Sequence, residues 1–267
     1  MGLGDELIAV AEAERLHRNA ERKVKIIDST GKQRFSPVFE KVPWLIQRGE
    51  SAKGAVSLLN CPGHRPYIDY ARSGGSKQVL RSSYTPMRGS FHFTDDELKR
   101  AREWMSDREV EPGFVAFDPY VKGTFSGTNK EWPMSGWIRV VGKLRVSQVQ
   151  TVQMSPGRAP TMFGVSGRVQ EEVRMAMAIM SFAGAVLCSE GFLHHAAAAL
   201  KIPAVVIWGG RSDPNILGYP EHENLYVETE GSPCGSMSRT CDHCTDAMGR
   251  IYPEDVLAVI QRVRRAG

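Results

Sequence analysis

The stretch from Ala185 to Pro214, AVLCSEGFLHHAAAALKIPAVVIWGGRSDP, constrains the fold most. Ala185 to Cys188 is a short apolar run whose length and aliphatic content suit a buried parallel strand. Ser189-Glu190-Gly191 is a polar turn, Phe192 to Leu200 is an alanine-rich helical segment, and Pro203 to Trp208 reads as a second buried strand closed by Gly209-Gly210. Strand, tight turn, helix, strand is a βαβ unit, which predicts the α/β class. The helix of such a unit points free N–H groups at the turn, where a phosphate is stabilised. The bland alternative is a βαβ unit without a ligand, but here two histidines and a glutamate crowd the turn.

The chain starts with a second layer of the same kind. Gly2-Leu3-Gly4-Asp5 leads into a helical pattern (Leu7, Ile8, Val10, Ala11, Leu16), and Val24 to Ile27 follows as a strand. Helix then strand implies a Rossmann-like layer with a further strand expected ahead of Gly2. Asp5 is either a helix cap or a group held at the mouth of a cleft. Thr94-Asp95-Asp96-Glu97 has the pattern of a capping box and opens a helix to about Ser106. Phe114 to Phe117 reads as a strand, and the domain boundary is placed just after it. A helix is predicted from Met134 to Leu144 and another over Val169 to Ala183, where apolar residues recur at three- and four-residue steps. Proline in the first turn starts a last helix at Pro253.

Between the layers lies Lys122-Gly-Thr-Phe-Ser-Gly-Thr-Asn-Lys130-Glu-Trp132-Pro133. Glycines, hydroxyls and two lysines suit a diphosphate. The Walker spacing is absent, so this is not a P-loop.

Three stretches in order resemble glycosyltransferase family 9, the ADP-heptose:lipopolysaccharide heptosyltransferase family of GT-B fold. They are the Gly-x-Gly-Asp start, Lys130-x-Trp132-Pro133 with Trp137 behind it, and Glu190-Gly191-x-x-His194 followed by alanines. Family members usually carry an acidic residue where Ser189 stands here, with Glu190 next to it. The resemblance implies two Rossmann-like domains facing across a cleft, the N-terminal one reduced. Residues 1–118 would receive the acceptor, 119–250 would bind the nucleotide sugar, and 251–267 would form a C-terminal helix crossing back to the first domain. It implies Asp5 as general base, and Lys130 with Ser126, or Thr128 near it, on the donor diphosphate. Ser189, Glu190, Gly191 and His194 would complete the nucleotide-sugar site. The implied reaction is inverting transfer from an ADP- or other NDP-sugar to an acceptor hydroxyl, with no essential metal. A nucleotide-sugar epimerase of the same fold and a non-catalytic nucleotide-binding protein are the alternatives.

Residues 61–90 carry Arg65, Arg72, Lys77, Arg81 and Arg88 against Asp69 alone. This is either a solvated loop face or a surface for an anionic acceptor through Arg72, Lys77 and Arg81, since arginine forks suit phosphates. A lipopolysaccharide core or other glycan, lipid-linked or free, fits that charge, as does nucleic acid with hydroxylated bases. Over all 267 residues the formal charge is only +4. No run of about 18 apolar residues and no basic, apolar leader is visible, so a cytoplasmic protein is expected. Five cysteines, an odd number, argue against a secreted disulfide scaffold. Cys241-x-x-Cys244 with Cys234, and His243 or His222, has the makings of a structural zinc site; a disulfide or free thiols are the alternatives.

Overall fold

The computed structural model describes residues 2–121, 127–155, 157, 159–238 and 240–266. The first layer begins with α1 (Leu3–Ala20), β1 (Val24–Ile27) and β2 (Val56–Leu59), the two strands pairing in parallel with Val24 opposite Val56. Then follow α2 (Asp95–Ser106), β3 (Val115–Asp118), a 3-10 turn over Gly127–Lys130, α3 (Met134–Val146), β4 (Thr151–Gln153), β5 (Gly167–Arg168) and α4 (Val173–Met180). The chain ends with β6 (Ala185–Ser189), α5 (Phe192–Leu200), β7 (Ala204–Trp208), α6 (Pro214–Leu217), β8 (Glu223–Tyr226), α7 (Asp242–Gly249) and α8 (Pro253–Ala266).

Six strands form one all-parallel sheet in the order β5-β4-β3-β6-β7-β8. Every residue of β6 and β7 is buried, as expected when helices cover both faces. Alternation along the strands divides the core. Ala116, Val186, Cys188, Val206 and Trp208 face the side covered by α1, α2, α4 and α5. Val115, Phe117, Leu187, Val205 and Ile207 face the side covered by α3 and α8.

The strand expected to close the first domain is a central strand of this large sheet. Val115 pairs with Thr151 on one side and Ala185 on the other, so the sheets do not divide at residue 118. An apolar strand shows its burial in its sequence but not its neighbours. The buried residues Val256, Ile260 and Val263 of the last helix pack on the large sheet against α3, β6 and β7. The helix predicted from Val169 starts at Val173. Gly167–Arg168 pairs with β4 and Val169 N–H continues that edge to the Gln153 carbonyl.

One arginine joins the pieces. Arg174, on α4, donates through Nε and Nη2 to Glu97 at 2.5 and 2.7 Å, and to the carbonyls of Pro37, Glu40 and His92. Glu97 also accepts from the Thr94 N–H, completing the capping box at the start of α2.

Candidate active site

The order of the large sheet places a crevice. From β3 the chain runs through α3 to β4 on one side, and from β6 it runs through α5 to β7 on the other. Connections leaving in opposite directions open a gap at the carboxyl ends of β3 and β6, where open α/β sheets bind ligands. A cavity of about 780 Å³ lies there. Its wall includes Asp118 and Tyr120 at the end of β3 and beyond, Ser189-Glu190-Gly191 at the end of β6, and Gly2, Gly4 and Asp5 at the start of α1. A neighbouring depression of about 590 Å³, lined by Met134, Ile138 and Phe163, is apolar apart from Arg145 and lacks carboxylates among its described lining.

On the α1 side, Asp5 accepts from Arg65 Nε at 3.0 and 3.1 Å and from the Tyr67 hydroxyl at 2.6 Å. Its Oδ2 also takes the Gly2 N–H at 3.3 Å, so it caps its own helix as well. Burial first, then the Asp5 charge, pushes the Tyr67 phenol well above its ordinary value, which keeps it a donor. The first turn is held from behind. Asn60 donates to the Asp5 carbonyl, and the buried Glu6 accepts from Arg34 and Ser36. Gly4 permits a close approach: a Cβ there would lie 2.8 Å from the His195 ring on α5. The Gly-x-Gly-Asp spacing therefore brings Asp5 to the βαβ turn.

Elsewhere on the wall, Lys130 Nζ lies 2.7 Å from Glu190, with side-chain exposures of 20% and 10%. Burial works to raise the Glu190 carboxyl, but Lys130 and Arg211 outweigh it, and the net shift is downward. Glu190 is therefore an ionised acceptor. Ser189 Oγ is buried at the cavity wall with no partner among the described residues. Such an atom is costly unless a ligand or water meets it.

The remaining predicted residues distribute unevenly. Gly191 lies on the wall. Ser126 falls outside the described residues. Thr128 sits in the 3-10 turn beside Lys130 but not on the described wall. His194, expected either to donate to phosphate or to fix the turn, is fully buried among His195, Trp208 and Tyr219, and its Nδ1 accepts the Gly191 N–H at 3.0 Å. His195 reaches the cavity instead, with Nδ1 2.9 Å from the Tyr219 hydroxyl. Burial draws it down to about 4, so it is neutral at pH 7. Arg72, Lys77 and Arg81 are exposed and line no part of this cavity. The same basic segment contributes Arg65 and Tyr67, which sequence reasoning missed.

No protein-family model and no curated protein matches the sequence. Solved structures do match. Over all of this chain and 96% of its own, the glycosyl transferase family 9 protein of Veillonella parvula superposes with a TM-score of 0.68 at 14% identity. The fold is that of glycosyltransferase family 9. The ADP-heptose lipopolysaccharide heptosyltransferase II of E. coli also superposes, with a TM-score of 0.51 and 15% identity over 68% of this chain. This chain spans 55% of that enzyme's length. The family 9 fold is of GT-B type, the α/β architecture expected. Among the described residues, no helix is long and apolar enough to cross a membrane.

Proposed function

We propose that the chain is an inverting glycosyltransferase that moves a sugar from a nucleoside diphosphate sugar, most simply an ADP-sugar, to an acceptor hydroxyl. The observation that carries this reading is a single cavity lined both by Asp5 and by Lys130, Glu190, Ser189 and the first residues of α5. Superposition on an enzyme whose name specifies ADP-heptose favours the ADP donor.

In this reading the donor diphosphate lies against Lys130 and the first N–H groups of α5, with Ser189 Oγ as a further donor. Glu190 takes the acidic role, accepting hydroxyl hydrogens of the donor. Asp5, oriented by Arg65 and Tyr67, accepts the proton of the attacking hydroxyl. That oxygen bonds to the anomeric carbon from the face opposite the diphosphate, the bond to the diphosphate breaks, and the configuration inverts. Lys130 and the helix end stabilise the charge growing on the leaving group, so the proposal assigns no metal to the transfer. The acceptor enters beside α1. An anionic glycan such as a lipopolysaccharide core suits the exposed Arg72, Lys77 and Arg81 of the same layer better than a neutral one. The reaction is placed in the cytoplasm, where nucleotide sugars are made.

Lys130→Ala tests the donor half. Nucleotide affinity measured by calorimetry should fall by about 1 to 3 kcal/mol, the scale of a hydrogen bond to a charged group. Because the substitution leaves Glu190 without its cation, the pair Lys130→Ala with Glu190→Gln is the stability control. Unchanged affinity in Lys130→Ala removes Lys130 from the site.

A further inference from the structure

A cluster of side chains away from the cavity has no part in that reaction. Cys241 caps α7 and Cys244 lies one turn on, so both sulfurs fall at the start of that helix. Cys234 arrives on the loop after β8, its Sγ 3.4 Å from that of Cys244 and 4.0 Å from that of Cys241. With His243, the four residues bring one ligand atom each to within 4.8 Å of one another. A tetrahedral zinc with bonds of about 2.3 Å holds its sulfurs about 3.8 Å apart, which these separations bracket. All five cysteines are free, and both separations far exceed the ~2.05 Å of a disulfide.

The histidine supplies the second observation. Its Nε2 is 2.9 Å from Thr229 Oγ1 and 3.1 Å from Ser232 Oγ. Its Nδ1 is buried and has no partner among the described residues. A metal-bound imidazole characteristically uses one nitrogen on the metal while the other is hydrogen-bonded. Hydroxyls on Nε2 with a vacant lone pair on Nδ1 are that arrangement.

We propose that Cys234, Cys241, His243 and Cys244 bind one tetrahedral thiophilic divalent cation, zinc or iron, as a structural site. Four protein ligands leave no open position for substrate. The cation would lock the strip Cys234–Ser238 onto α7, and that strip bridges the layers. Gln78 N–H donates to the Gly235 carbonyl at 2.8 Å, Met237 N–H donates to the Ser76 carbonyl at 2.7 Å, and Arg211 reaches both the Ser236 carbonyl and Gln78. Asn129, next to Lys130, donates to the Ser238 carbonyl at 2.9 Å. The metal thus fastens the loop that presents Lys130 to the rest of the molecule.

The test uses the full chain, purified with reductant and without chelator. Elemental analysis should find about one equivalent of zinc or iron per chain, and Cys241→Ser with Cys244→Ser should lose most of it. As that variant risks misfolding, wild-type protein stripped of metal decides the matter. Added cobalt(II) should give the visible bands of a tetrahedral thiolate complex, and added zinc should raise the melting temperature and slow alkylation of these three cysteines at least about tenfold. Stripped wild type that stays folded yet takes up neither cobalt nor zinc overturns the proposal. So does an intact mass showing two of these cysteines joined in the freshly isolated chain.

Discussion

Asp5→Asn should fold, bind nucleotide as the unsubstituted chain does, and release nucleoside diphosphate from a sugar donor at least about 10²-fold more slowly. That factor corresponds to roughly 2.7 kcal/mol of transition-state stabilisation. Asparagine keeps one oxygen for the Tyr67 hydroxyl and Arg65 Nε, and its amide nitrogen gives up only the Gly2 N–H cap bond, worth about 1 kcal/mol of helix stability. What it loses is the capacity to take a proton. Glu6 and Glu190 do not substitute for Asp5. Glu6 is buried on Arg34 and Ser36, and Glu190 is paired with Lys130. Turnover at the unsubstituted rate would show that Asp5 is only the helix cap that its bond to Gly2 also makes it.

Arg174→Ala should destabilise the fold by about 3 to 5 kcal/mol, the usual cost of removing one partner of a buried ion pair. The Arg174 side chain is 11% exposed and the Glu97 side chain 18%, and the same guanidinium satisfies the carbonyls of Pro37, Glu40 and His92. The pair also predicts an acid limb. The hydrogen bond from Arg174, aided by Thr94 and by the Arg174 charge, draws Glu97 from 4.5 down to about 2 against its partial burial. A carboxyl with a depressed folded value stabilises the fold above its unfolded value and loses that contribution as pH falls. Stability should therefore decline from about pH 4.5 towards pH 2, and this part of the decline should vanish in Arg174→Ala. Denaturant titrations at pH 7 and pH 3 measure both effects. A loss below about 1 kcal/mol at pH 7 would mean that Arg174 is no more than a surface pair.

What the sequence made legible was local. The limits of α5, the capping box at Thr94 and the buried runs of β6 and β7 follow from spacing and residue type over a few positions. The βαβ unit placed Ser189, Glu190 and Gly191 at the crevice for the same reason. What stayed hidden depends on distant partners. Arg65 and Tyr67 reach Asp5 from 60 and 62 residues away, out of a loop whose cations looked like a charged surface. The place of β3 in the sheet is a matter of pairing, which an apolar run does not encode. Of two adjacent histidines on α5, His194 turns into the core and His195 into the cavity, a difference of about 100° on a helix that only the packing of Gly4 against it reveals. The sequence reads as a helix from Val169 instead of Val173, because a buried Val169 fits the end of an edge strand and the start of a helix alike.

The central claim is that the crevice between β3 and β6 holds a donor diphosphate with its sugar turned towards Asp5. A crystal structure of the chain with a non-transferable nucleotide sugar tests it most directly. The account predicts diphosphate oxygens within hydrogen-bond distance, about 2.7 to 3.2 Å, of Lys130 Nζ and of the first N–H groups of α5. It also predicts the anomeric carbon between them and Asp5, with Asp5 on the face away from the diphosphate. A donor bound elsewhere, or one whose diphosphate lies on the same side as Asp5, would contradict it.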